Sequence, residues 1–166
     1  MKTFNIILFI ILQSSMSMVF SQEIRDGFKI SIEKGSTWFE DVNRSNYRGF
    51  PIKNKNGERI GNPSTKLSSK EQLKKIEREL YDEVEQNHML THYKPVAIFS
   101  VRANDGKIVS VSFVFSNLTA PSVIDTKKLQ TLQERIKTEL SYENLLFNGE
   151  KAESGYMLAS VWLFRP

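Results

Sequence analysis

The chain has 166 residues, no cysteine, five scattered prolines and a formal net charge of +4. The length suits one domain with a real core, and the missing cysteines exclude disulfides, thiolate nucleophiles and a lipidated N-terminal cysteine. A mildly basic balance of this size does not call for a nucleic-acid partner.

The first residues are predicted to form a cleavable signal peptide. Lys2 is the positive start, Ile6-Ile-Leu-Phe-Ile-Ile-Leu12 is an apolar run, and Val19-Phe20-Ser21 places the cut after Ser21. A spanning helix needs about 20 apolar residues. This run is far shorter and is followed by Gln13-Ser14-Ser15, so no transmembrane segment is expected in residues 22–166. An exported domain without disulfides fits the envelope of a Gram-negative bacterium, in the periplasm or beyond it.

Residues 22–66 read as a β-rich, irregular section. Phe28, Ile30 and Ile32 alternate with polar neighbours, as in a short strand, and Asn56-Gly57 between Ile52 and Ile60 reads as a hairpin turn. A long helix is predicted from Ser68 to about Thr91. Ser68 and Glu71 have capping-box spacing, and Leu73, Ile76, Leu80 and Val84 form one apolar stripe.

A hairpin follows, Val96–Ala103 and Lys107–Ser116 around Asn104-Asp105-Gly106. A three-residue loop with Gly106 in the left-handed region pairs Val101 with Val109 and Phe99 with Val111. That register collects Ala97, Phe99, Val101, Val109, Val111 and Phe113 on one face and Ser100, Arg102, Ser110 and Ser112 on the other. The serine face is expected to be open, or shielded by residues 22–66. Asp125 is the N-cap of a second helix with the stripe Leu129, Leu132, Ile136 and Leu140, and Tyr156–Phe164 is the last strand. The expected fold is α+β in two layers: a mainly antiparallel sheet with two amphipathic helices on one face, in the order β-rich start, α, β, β, α, β.

From Val96 to Phe164 the succession strand, Asp-Gly turn, strand, helix, strand resembles the C-terminal domain of TonB. The pieces that carry the resemblance are Val96–Ser116, Leu132–Glu143 and Leu158–Phe164. It implies an envelope protein whose sheet edge accepts an extended peptide strand. The chain departs from that family in lacking a proline-rich spacer and an N-terminal anchor, which argues against energy transduction across the envelope.

Three constellations could carry chemistry. His88 and His92, four apart with Glu85 three residues earlier, are candidate metal ligands on one helix face; the zincin pattern would need Glu where Met89 stands. Residues 43–70 are basic, with Arg44, Arg48, Lys53, Lys55, Arg59, Lys66 and Lys70 against Glu58, and Tyr47 and Phe50 among them. Arg44, Tyr47, Arg48, Lys53, Lys55 and Arg59 are the candidate binding residues, for an anionic surface or an acidic partner. Tyr156, Trp162 and Phe164 share a face of the last strand and are expected to be core. No serine-hydrolase elbow, phosphate loop or dinucleotide fingerprint occurs, so no catalytic residues and no cofactor are assigned. The expected role is a non-enzymatic peptide- or protein-binding module, with a metal-assisted hydrolase using His88 and His92, or a structural envelope component, as alternatives.

Overall fold

The computed structural model describes residues 23–61, 70–143, 145–147 and 149–165. The signal peptide, its cut after Ser21, the Ser68 cap and Lys66 lie outside these residues. Six strands form one antiparallel sheet: β1 (Glu23–Arg25), β2 (Phe28–Glu33), β3 (Ser36–Asp41), β4 (Val96–Arg102), β5 (Ile108–Phe115) and β6 (Tyr156–Trp162). Their spatial order is β1-β2-β3-β5-β4-β6. The helices are α1 (Lys70–Leu80), α2 (Glu83–His88), the short α3 (Ala120–Val123) and α4 (Thr126–Glu139). The α+β expectation therefore holds, with helices over one face of an antiparallel sheet.

The N-terminal section is part of that sheet rather than an irregular cover. Asp26-Gly27 and Lys34-Gly35 each place two successive residues at positive φ, the geometry of tight hairpin turns whose twist matches that of the strands. They fold β1, β2 and β3 into a meander, and β3 joins β5 through Thr37–Phe115, Trp38–Val114 and Phe39–Phe113. Phe28, Phe39, Phe113 and Phe115 then meet edge-on on the helix side of the sheet, with ring centroids 5.2–6.2 Å apart. Leu129, Leu132 and Ile136 of α4 are fully buried in the same core. Asp125 caps α4 as expected, accepting from the Lys127 and Lys128 N–H groups.

The β4–β5 hairpin keeps the Phe99–Val111 pair but not Val101–Val109. A bulge after Ser100 pairs Val101 with Ile108, so Val109 is the extra residue and Ile108 takes its place in the core. Ser100, Ser110 and Ser112, expected on a face either open or shielded by residues 22–66, are all buried. Asp41 and the 3-10 turn Arg44–Tyr47 lie against that end of the sheet, with the Asp41 N–H donating to Ser112 Oγ at 3.1 Å. Asn56-Gly57 does lie in a turn, but only Gly57 takes positive φ; Asn54 Oδ1 holds the turn by accepting from the N–H groups of Asn56 and Glu58.

The first helix is interrupted. The single helix predicted to Thr91 ends at Leu80, restarts at Glu83 and closes in a π turn, Met89–Tyr93. Asp82 leaves the helical region at ψ 170° and caps α2. Its carboxylate accepts from the Glu85 N–H, and the Glu85 carboxylate accepts from the Asp82 N–H. The break rotates the stripe: Val84 is 79% exposed, while Tyr81, Met89 and Tyr93 are buried in its stead.

Candidate functional site

β6 is the edge of the sheet, paired with β4 from Val96–Trp162 to Arg102–Tyr156. Leu163 donates inward to Pro95 O and Ala103 donates to Gly155 O, so odd-numbered residues face β4 with their backbone groups. The alternation of an antiparallel ladder then turns the N–H and C=O of Leu158, Ser160 and Trp162 outward. Tyr156, also outward, donates to Phe50 O at 3.3 Å. Among the described residues no strand pairs with this edge beyond Tyr156. Tyr-Met-Leu-Ala-Ser-Val-Trp contains no charge and no proline, the devices that usually blunt an edge strand.

The same even-numbered residues carry their side chains on the sheet face away from the helices. Leu158 is 65% and Trp162 43% exposed. From Trp162 an apolar row runs inward through Val96 and Val114 to Trp38, directly opposite one another on β4, β5 and β3. Trp162 is therefore a surface residue and Tyr156 half-buried, against the expectation of core. Phe164 alone of the three is core; it lies past the strand at φ +57°, edge-on to Tyr81 at 5.0 Å. The Arg165 guanidinium stacks 4.1 Å over the Trp162 ring.

The basic segment meets this edge at its other end. Tyr47 lies 5.0 Å and Phe50 6.1 Å from the Tyr156 ring, and Phe50 and Tyr156 line an open cleft of about 330 Å³ with Lys53 and Gly155. Gly155 is required there: at φ +101°, a Cβ on it would lie 2.4 Å from Pro51 O. The six candidate binding residues do not act as one patch. Arg44 is buried; its guanidinium sits 3.4 Å from Glu40, and burial, then the charge of Arg48, lower its pKa. Arg48 pairs with Glu40 at 2.6 Å. Lys53 bridges to Arg59 and Ser154 by backbone, and Lys53, Lys55 and Arg59 are exposed. Tyr47 belongs to the aromatic cluster at the edge.

His88 and His92 are exposed and brought together, ring centroids 4.5 Å apart, but Glu85 is drawn elsewhere. Both its oxygens accept from Lys128 Nζ, at 2.6 and 2.7 Å. Among the described residues no group of three His, Asp or Glu side chains could hold a metal. No helix of the described residues is long and apolar enough to cross a membrane. Sequence reasoning did not single out Leu158, Ser160 or Phe50; the uncharged run at 156–162 was the available signal.

No family model and no curated protein matches the chain. Among solved structures it is similar to a DUF5043 family protein from Bacteroides uniformis ATCC 8492, with a TM-score of 0.58 and 12% identity over 88% of this chain and 93% of that one. At such identity the likeness carries the fold alone.

Proposed function

We propose that this is an exported, non-enzymatic binding module that takes an extended segment of a partner protein as an added strand along β6. The carrying observation is the uncharged edge, unpaired beyond Tyr156 among the described residues, with the backbone groups of Leu158, Ser160 and Trp162 turned outward. Backbone pairing would supply affinity, and the exposed side chains beside the edge would supply selectivity. Tyr47, Phe50 and Tyr156 at one end, and Trp162 at the other, offer aromatic surface for alternate side chains of the added strand. The TonB-like order of elements over residues 96–164 supports the same mode, and the signal-like start supports export.

The test uses a displayed library of unstructured peptides selected against the whole protein. Ser160→Pro removes an outward N–H and leaves the β4 ladder intact, as edge strands tolerate. Selected peptides should bind the parent and lose roughly tenfold or more in affinity for S160P, one to two hydrogen bonds' worth. Peptides that bind S160P as well as the parent, or a selection that enriches none, would overturn the proposal. Melting temperature of S160P confirms that the variant is folded.

A further inference from the structure

A second concavity, of about 350 Å³, lies between α1, α2 and the segment after β6. Lys74 and Arg78, one turn apart on α1, line it, together with Arg165, whose guanidinium is turned over the Trp162 ring. None of the three forms an ion pair with a carboxylate among the described residues. One position further along the same helix, Lys75 does pair with Glu79, and Arg135 of α4 pairs with both Glu79 and Glu139. Leu90 and Phe164 give the cleft an apolar wall, and Asn87 offers a neutral amide. Glu83 is on its lining, and Glu77 forms its floor, buried, with its carboxylate accepting from the Phe164 N–H at 3.0 Å.

From this arrangement we propose that the cleft binds a small organic anion, its carboxylate or phosphate group held by Lys74 and Arg78 and its apolar part against Leu90 and Phe164. Two cations one helical turn apart, neither in an ion pair among the described residues and with one exposed acid beside them, favour an oxyanion, and arginine's fork suits either group. The site is distinct from the β6 edge and stands without it.

Glu77 makes the binding sensitive to pH. It faces Lys74 and Arg78 on its own helix, Tyr81 beyond them, and the Phe164 N–H from the C-terminal segment. Burial raises its pKa to about 7 against the opposing pull of that N–H and the two cations. A bound anion adds a further negative charge, so it binds best when Glu77 is protonated.

The experiment is an amide and side-chain NMR titration of the whole protein at constant ionic strength with inorganic phosphate, with succinate and with sulfate. Saturable shifts at Asn87 and Arg78 are expected for at least one of the first two, which also tells phosphate from carboxylate. Arg78→Ala and Lys74→Gln should each weaken that binding several-fold, while Lys53→Ala leaves it unchanged. Sulfate keeps its charge across the range, so its affinity should rise from about pH 8 to about pH 6 in the parent and stay flat in Glu77→Gln. No saturable shift with any anion, or shifts spread equally over Lys53, Lys55 and Arg59, would overturn the proposal. Two independent cleft variants guard against one that fails to fold.

Discussion

The carboxyl of Glu77 is buried where a charge is costly, and it has one good hydrogen-bond donor, the Phe164 N–H. Its pKa rises from 4.5 to about 7, burial being the leading cause. Across that window the folded protein holds a proton that the unfolded chain has released. Stability should therefore fall as pH rises from about 4.5 to about 7 and level off above, by an amount on the order of 3 kcal/mol. Urea unfolding across the range checks this, and Glu77→Gln, whose amide oxygen still accepts from Phe164, should flatten the profile. A profile equally steep in E77Q would assign the slope to other groups. A second single-residue test concerns Gly106, at φ +73° with its carbonyl accepting from the Tyr142 N–H. A Cβ there would fall 1.8 Å from the Tyr142 carbonyl oxygen, a backbone atom that cannot swing aside. Gly106→Ala should cost about 3 kcal/mol or more, read as a drop in the urea midpoint.

At the scale of elements, the break between α1 and α2 decides what faces the core. A continuous helix would keep Val84 on the stripe with Ile76 and Leu80; the break exposes Val84 and buries Tyr81 and Met89. Asp82 holds the restart through the Glu85 N–H, so Asp82→Ala should destabilise by about 1 kcal/mol and lower helical circular dichroism. No loss in either reading would mean that packing of Tyr81, not the cap, sets the break. The cap's signal is in the sequence, Asp82 and Glu85 at capping-box spacing, but the reading of one helix to Thr91 passes over it because the apolar stripe looks uninterrupted. The Asp26-Gly27 turn was equally legible, whereas Lys34-Gly35 was not, because lysine seldom takes positive φ. The second helix was readable because its cap and its stripe agree. The edge was not, because periodicity says which residues alternate and nothing about which strand is left unpaired. The basic residues looked alike in the sequence; only packing separates buried Arg44 from exposed Lys55.

At the scale of the molecule, the meander β1–β3 is tied to the later strands across a narrow seam. Three residue pairs join β3 to β5, ending at Phe39–Phe113. Beyond them the strands part, and two buried side chains complete the ladder around Val111. Asp41 Oδ2 accepts the Val111 N–H at 3.3 Å, and Gln133 Nε2 of α4 donates to its carbonyl at 2.8 Å. Asp41 also accepts from the Asn43 N–H, directing the chain into the turn that buries Ser112. Removing the Asp41 carboxylate leaves two backbone donors without partners, one of them buried, at about 1–3 kcal/mol for such a group. Because the seam is short, the loss should not be shared evenly. Asp41→Ala is expected to lower amide hydrogen-exchange protection in β1, β2 and β3 well before that of β4 and the β6-facing amides. Equal loss everywhere would instead mean that sheet and meander open as one cooperative unit, with the phenylalanine cluster of Phe28, Phe39, Phe113 and Phe115 binding them more strongly than the hydrogen bonds at the seam.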